Sequence, residues 1–547
     1  MEYFSSFLLS MFITIALIPI LKANAIKMKT IDIPNPRKVH RLPMPKIGGI
    51  AMALGIAPSL FFAFKSHFML ATVIGSTIIF CFGVLDDIKD LGYKAKLVGQ
   101  LSAAILVVTY GGVKIKFLGE LLPVGTVLPD IIAIPLTVFF IVGAVNAINL
   151  SDGLDGLAGG ISLLTFVAIG IFAHSAHNFF VTLMAVSIMG AIFGFLRYNT
   201  FPAEIFMGDC GSQLLGFLSA VLALQLTQGD HSLSPVLPLI FLGFPILDTL
   251  TVMVERISKR KSPFMADKNH FHHKLMKLGF YHTESVLIIY VIQSSLIAMA
   301  FLSWHQHDDW ALLGFYAAFS ILTLSFFLWA ESKAWQVKRY DFIDQVVKKK
   351  LRVIKEEDIV IKISFLTIKI LFPLLLISAC WFPSKVPPRF ALIGGILLIS
   401  VLMVRLYNKA WVQDALAVSI YFMIPIIVYL GDPGLSIAWG LQITVVDNIL
   451  FIVMVFGVIL TLKFTRREKG YKATPTDFII LFLALVVPNL PNSVIQSYKI
   501  GSMVAKIIAF YFTFEVLSGE LRTQTREITI VVVSILVIIG LRGVAGI

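Results

Sequence analysis

Residues 68–96 read FMLATVIGSTIIFCFGVLDDIKDLGYKAK. The apolar run from Phe68 to Leu85, about eighteen residues, is long enough to cross the hydrocarbon of a bilayer as a helix. It ends in three carboxylates, Asp86, Asp87 and Asp90, and three lysines, Lys89, Lys94 and Lys96. Acids this close together need a cation, a proton or a basic partner. On a helix Asp86 and Asp87 face different directions, whereas Asp87 and Asp90 share a face. The cluster is either the solvated end of a membrane helix or a reactive rim where that helix leaves the lipid.

The same alternation of greasy runs and charged ends extends along the chain. Its 547 residues are 58% hydrophobic and 14% charged, with a mean hydropathy of +0.89. That excludes a soluble domain and predicts an all-α polytopic membrane protein. About eleven spans are expected up to residue 330, near 3–21, 47–64, 68–85, 97–111, 128–147, 155–174, 177–196, 211–227, 234–254, 285–303 and 310–330. The first lacks a small-residue cleavage site and precedes a basic stretch, so it reads as a retained span. Residues 331–360 read as a charged cytoplasmic linker. About seven further spans follow, near 363–382, 389–405, 413–430, 447–463, 478–495, 502–517 and 528–546. The expected organisation is therefore a core at 1–330, a linker at 331–360 and a C-terminal membrane region at 361–547.

Basic residues mark one side. Lys22, Lys27, Lys29, Arg37, Lys38, Arg41 and Lys46 follow the first span, and Arg256, Lys259, Arg260, Lys261, Lys268, Lys274 and Lys277 follow the ninth. The opposite loops hold only Lys65, Lys114 and Lys116. The positive-inside rule makes the first set cytoplasmic. The net charge of +13 then reflects cytoplasmic loops facing anionic lipid rather than nucleic acid. Cys81, Cys210 and Cys380 are too scattered for a disulfide framework or a zinc site.

The polar motifs share that cytoplasmic side: IDIPNPRKVHRLPMPKIGG (31–49), LDDIKDLGYKAKLVGQ (85–100), NAINLSDGLDGLAGG (146–160), RYNTFPAEIFMGDCGSQLLG (197–216) and RKSPFMADKNHFHHKLMKLGF (260–280). Singly, each has a plain structural reading as a helix cap, a glycine-rich turn, a solvated face or topology-setting charge. Together they place oxygen donors suited to magnesium, with lysines and histidines, on one membrane face. Such a face suits a multiply anionic substrate such as a nucleotide-linked pyrophosphate.

In this order, DDxxD, NxxNxxDGxDGL, NxxPAxxFMGDxGS and HxHH resemble the motifs of the polyprenyl-phosphate N-acetylhexosamine-1-phosphate transferases, the MraY/WecA-like group, over roughly residues 1–330. The segment DKNHFHHKL (267–275) is similar to the branch that uses UDP-N-acetylglucosamine. The resemblance implies transfer of a sugar 1-phosphate from a UDP-N-acetylhexosamine to undecaprenyl or another polyprenyl phosphate, with release of UMP. It implies magnesium as cofactor, with manganese as the alternative, and a cytoplasmic-facing site in the bacterial inner membrane, at the first membrane step of cell-envelope glycan synthesis. Residue by residue it implies Asp86 as the base, with Asp87 beside it, and Asn149 and Asp209 as metal ligands. Lys96 would hold a phosphate and Asp155 the uracil, with Asn146 and Asp152 nearby. His270, His272 and His273, helped by Arg256, would face the sugar and pyrophosphate. A homodimer is left open, and direct attack and a covalent phospho-aspartate route both remain available.

Two other classes stay in view: a polytopic lipid or solute transporter, and a non-catalytic scaffold. Transporters place polar groups near the bilayer midplane between broken helices, whereas the clusters here sit at the boundary. Residues 361–547 match no motif. Asp414, Asp447 and Glu515, with VPNLPNS (487–493), are their polar features, and the expected role is structural or interactive, with a second activity on the lipid-linked product as the alternative.

Overall fold

The computed structural model describes residues 2–32, 43–62, 66–123, 125–229, 233–260, 262, 270–302, 308–333, 335–337, 359–381, 386–407, 412–431, 443–464, 500–520 and 525–545. The span expected at 478–495, the VPNLPNS segment, Lys268 and most of the linker lie outside these residues, as do the side chains of Asp414, Asp447 and Glu515. The described chain forms two compact units, one within Met1–Val337 and the other comprising the described residues beyond it.

The first unit is built from α1 (Glu2–Met28), α2 (Gly48–Ile56), α3 (His67–Lys89), α4 (Tyr93–Thr109), α5 (Asp130–Leu150), α6 (Leu157–Ser175), α7 (Phe179–Asn199), α8 (Gly208–Gly229), α9 (Leu237–Phe241), α10 (Gly243–Ser258), α11 (Phe271–Lys277), α12 (His282–Leu302) and α13 (Asp309–Ser332). The centre of this bundle is α6, α7 and α8, which are apolar on nearly every face and buried. A helix hydrophobic all round belongs inside a bundle. By contrast α1, α3 and α13 leave large aliphatic and aromatic side chains exposed, as a surface against lipid would.

Two expected spans are broken. The one near 47–64 is the short α2 followed by a 3-10 turn over Ala57–Phe62, because Pro58 cannot donate the next helical hydrogen bond. The one near 234–254 splits at Leu242 into α9 and α10. Pro245 has no N–H for the carbonyl of Phe241, four residues earlier. That carbonyl instead accepts from Thr165 Oγ1 at 2.7 Å and Gln293 Nε2 at 2.8 Å, while Gln293 Oε1 accepts from Phe244 N–H at 3.0 Å. The Gln293 carboxamide thus replaces a missing peptide partner, the condition for irregular backbone at membrane depth.

The one sheet among the described residues is a hairpin of β1 (Ile31–Asp32) and β2 (Met44–Pro45), antiparallel, with Ile31 opposite Pro45 and Asp32 opposite Met44. Its far edge grips the chain entering α8. Phe206 N–H donates to Pro45 O at 2.8 Å, and Gly49 N–H donates to Met207 O at 2.8 Å.

The second unit contains α14 (Ile359–Trp381), α15 (Pro388–Tyr407), α16 (Val412–Gly431), α17 (Ile443–Phe464), α18 (Ile500–Glu520) and α19 (Thr525–Ala545). It has its own apolar core around Ile368, Phe372, Ile420, Ile424, Phe514 and Ile535. Pro425 inside α16 cannot give the Tyr421 carbonyl its usual helical donor. Tyr511 of α18 supplies one, its hydroxyl donating to that carbonyl at 2.8 Å. Arg542 of α19 donates to Cys380 O and Trp381 O at 2.8 and 2.7 Å, satisfying the open carbonyls at the end of α14.

Candidate active site

The ends of α3, α5 and α7 and the starts of α4, α6 and α8 meet at one end of the first unit. The acid cluster at the end of α3 divides there. Asp86 and Asp87, in the last turn of α3, are buried, and Asp90 is exposed and leaves the helix in a left-handed conformation (φ 49°). The face expected to be shared by Asp87 and Asp90 therefore does not form.

The two buried aspartates do different things. Asp86 Oδ1 accepts from Leu91 N–H at 2.7 Å, and Oδ2 meets the Lys96 ammonium at the start of α4. Lys96 reaches on to Asp209 Oδ2 at 3.1 Å, and Asn149 Nδ2 donates to Asp209 Oδ1 at 2.7 Å. Asp86, Lys96, Asn149 and Asp209, from α3, α4, α5 and α8, form one polar knot. Asp87 is turned the other way. Its Oδ1 accepts from Asp209 N–H at 2.9 Å and its Oδ2 from Cys210 N–H at 3.0 Å, so it caps α8 with a full negative charge. The cap requires Gly208, which is in the left-handed region (φ 75°) and whose added Cβ would stand 2.6 Å from Asp87 Oδ2.

Lys46, carried by the hairpin, faces the same acids. It pairs with Asp32 at 3.4 Å and lies 4.0 Å from Asp87. Burial works against its charge, but the carboxylates of Asp32, Asp87 and Asp209 outweigh it and hold the ammonium above its usual range. Asp152 lies between α5 and α6, reachable by solvent yet ringed by protein. Desolvation by that surround, then the charges of Asp209, Asp87 and Asp155, push its carboxyl up to about 7. The site thus holds more carboxylate than its lysines neutralise.

Two loops close round this knot. Asp155 Oδ2 accepts from Ala203 N–H at 3.0 Å, and Asp155 N–H donates to His282 Nε2 at 3.1 Å. Asn199 ties the same loops, accepting from Gly156 N–H at 2.9 Å and donating to Ile205 O at 2.9 Å. The histidine motif arrives on α11. His270 is its N-cap residue, with Nδ1 2.9 Å from Asp248 Oδ2, while Asp248 Oδ1 accepts from Phe271 N–H at 2.8 Å. The His272 ring lies against the backbone at Gly153, where an added Cβ would overlap it. Burial, then the neighbouring His273, His270 and His282, pull His272 down to about 3, so it is a neutral imidazole. The His273 ring stacks at a tilt on His272, 4.2 Å between centroids. Arg256 is buried on α10.

Asn146 stands apart from the acids. Its amide is exchanged with Gln100 of α4, Nδ2 donating to Gln100 Oε1 at 2.8 Å. Asp248, Gln100, Gln213 and Lys46 were not singled out as site residues in the sequence. The signal for Asp248 and Gln100 is a strongly polar side chain in a membrane helix, which is functional by default, and Gln213 extends the polar start of α8 by one turn.

Fold and site together define a multi-pass membrane protein that gathers carboxylates, amides, lysines and histidines at one end of its helices. The model of glycosyl transferase family 4 matches residues 69–227. The chain is 38% identical over 294 residues to a probable undecaprenyl-phosphate N-acetylglucosaminyl 1-phosphate transferase of Bacillus subtilis (strain 168), covering 52% of this chain and 81% of the relative. It is 30% identical over 337 residues to the undecaprenyl-phosphate alpha-N-acetylglucosaminyl 1-phosphate transferase of Escherichia coli (strain K12), covering 60% and 89%. A decaprenyl-phosphate N-acetylglucosaminephosphotransferase of Mycolicibacterium smegmatis is 35% identical over 298 residues, covering 49% and 73%. The chain belongs to the polyprenyl-phosphate N-acetylhexosamine-1-phosphate transferase family, within glycosyl transferase family 4.

Proposed function

We propose that this protein transfers N-acetylglucosamine 1-phosphate from UDP-N-acetylglucosamine to undecaprenyl or a related polyprenyl phosphate, releasing UMP, at the cytoplasmic face of a bacterial inner membrane. The observation that carries the reading is the knot of Asp86, Lys96, Asn149 and Asp209, drawn from three separated motifs onto one helix-end surface. A lipid phosphate emerging from the bilayer would meet a water-soluble nucleotide sugar at such a surface.

Magnesium fits the residues present. Among the described residues no three His, Cys, Asp or Glu side chains converge into a metal cage. Magnesium does not need one, since one or two carboxylates plus substrate phosphates commonly hold it. Asp209 and the Asn149 carboxamide would contribute the oxygen donors, in a site whose excess of carboxylate favours a cation. When bound, the ion would neutralise charge on the pyrophosphate and on the departing UMP.

The protein's own part is positioning and charge. Asp86, anchored by Leu91 N–H, accepts the proton of the lipid phosphate. A lipid phosphate oxygen then forms a bond to the sugar-bearing phosphorus as the anhydride bond breaks and its electron pair leaves with UMP. Lys96, already between Asp86 and Asp209, steadies the incoming phosphate. Asp87 holds Asp209 in register through the α8 cap rather than meeting substrate. Asp155, with Oδ2 spent on Ala203, offers Oδ1 to the uracil. Neutral His272 hydrogen-bonds the donor's sugar phosphate, with His270 and His273 alongside.

The test is UMP release by the purified protein with magnesium, polyprenyl phosphate and a panel of UDP-N-acetylhexosamines. Release that needs the lipid and prefers UDP-N-acetylglucosamine supports the reading. Folded protein that releases none with any donor sinks it.

A further inference from the structure

One helical turn deeper in the bundle than the acid knot lies a second polar layer. Gln100 follows Lys96 by four residues on α4, Asn146 precedes Asn149 by three on α5, and Gln213 follows Asp209 by four on α8. These spacings put one member of each layer on the same face of each helix. The directions also agree: α4 and α8 run inward from the site and α5 runs toward it, so the three deeper residues lie at one level.

The deeper layer joins the same three helices, with Gln100 of α4 rather than the α8 residue at its centre. Gln100 Nε2 donates to Gln213 Oε1 at 3.1 Å and lies 3.4 Å from Asn146 Oδ1, and Asn146 Nδ2 donates back to Gln100 Oε1 at 2.8 Å. Gln100 and Gln213 are only 3% and 2% exposed. Among the described residues no side-chain hydrogen bond joins this layer to the side chains of Asp86, Lys96, Asn149 or Asp209. A carboxamide presents a donor on one side and an acceptor on the other. Three of them in contact therefore fix the rotation of their helices as well as their spacing. Turning α4 or α8 about its axis would strand a buried amide, and turning α5 would withdraw the half-buried Asn146 from its partner.

We propose that Gln100, Asn146 and Gln213 are a positioning layer that sets the rotation of α4, α5 and α8, and so the geometry of Lys96, Asn149 and Asp209, without touching either substrate. This rests on reading those three residues as the reactive cluster. It gives Asn146 a place in the helix packing instead of on the donor.

The test compares Gln100→Leu and Gln213→Leu with the length exchange Gln100→Asn/Asn146→Gln, which conserves the combined reach of the two amides. Orienting residues behind a metal ligand are commonly worth ~10–100-fold in activity or metal affinity. The leucine variants are expected to lose about that factor in kcat, with the KM for the UDP-sugar changed less than ~3-fold. Without either substrate, the magnesium concentration giving half of the ion's thermal stabilisation should rise by ~10-fold. The exchange should recover most of what either of its single changes loses in both readouts. If a leucine variant does not fold, Gln100→Asn alone carries the comparison.

Wild-type kcat and magnesium response in folded leucine variants would overturn the proposal. So would a raised donor KM with kcat intact, which would put Asn146 on the substrate, or an exchange with no recovery. Failure of the underlying reading shows elsewhere, as wild-type turnover in Asp209→Ala.

Discussion

Asp87 offers a sharp test, because an adjacent acid pair invites the assumption that both members take part in the chemistry. Its two oxygens each accept a backbone N–H from the first residues of α8, at 2.9 and 3.0 Å. Hydrogen bonds to a charged acceptor contribute about 1.5–3 kcal/mol each. The two share one carboxylate, and the helix-dipole attraction acts through the same N–H groups, so the parts do not add fully. Asp87→Ala is expected to cost about 3–5 kcal/mol, a large fraction of the ~5–15 kcal/mol that holds a typical domain. Asp87→Asn keeps one acceptor but turns an NH2 group toward a backbone N–H, and should fall only slightly short of alanine. The assay is a denaturant titration of purified protein in mixed micelles, read beside UMP release. Loss of a cap lowers stability and turnover together, because Asp209 moves with the start of α8. An Asp87→Asn protein within ~1 kcal/mol of wild type, yet without turnover, would refute this and return Asp87 to the chemistry.

Other outcomes follow from the same geometry. Asp209→Ala should remove magnesium-dependent UMP release while leaving the helical protein folded, checked by size-exclusion chromatography and circular dichroism. Gly153→Ala drives a methyl group into the His272 ring; overpacking of this kind costs about 1–3 kcal/mol, and the donor KM should rise, with wild-type values in both counting against the contact. Asp155→Ala should weaken UDP-sugar binding in calorimetry, and an unchanged affinity would remove its uracil role. His272 has a pKa depressed from 6.5 to about 3, so the unfolded chain takes up a proton that the folded one refuses. Stability is complete above 6.5 and falls by about 1.4 kcal/mol per pH unit below it, until about 3. His272→Gln should flatten that acid limb, and an unaltered slope would show that the ring is not buried neutral.

The membrane fold was legible because hydropathy and span length are local properties, and α3, α5 and α7 lie close to where the apolar runs put them. The breaks at Ala57 and Leu242 were harder. Pro58 and Pro245 signal a missing N–H, but whether the chain kinks or splits depends on a partner such as Gln293, far along the sequence. The site was legible as a set of motifs on one side, and Asp86, Lys96, Asn149 and Asp209 do meet. The division of labour between Asp86 and Asp87 was not. Neighbours on a helix point about 100° apart, and only the packing of α8 against α3 decides which meets Lys96 and which meets backbone. Gln100 and Gln213 lie inside the polar motifs yet carried no role there, because the meaning of one amide comes from two others on different helices.

The proline in α16 couples two distant positions. Replacing Pro425 by an ordinary residue would return an N–H to the Tyr421 carbonyl, which has lone pairs for it and for the Tyr511 hydroxyl alike. Replacing Tyr511 alone would remove that hydroxyl donor while the proline still withholds the helical one. The two changes are therefore not equivalent: loss of Tyr511 weighs most while Pro425 is present, whereas loss of Pro425 adds a donor without displacing the hydroxyl. The proline thus makes the tyrosine matter more than the tyrosine makes the proline, and a double-mutant cycle across these positions, 86 apart by their numbering, should show that coupling.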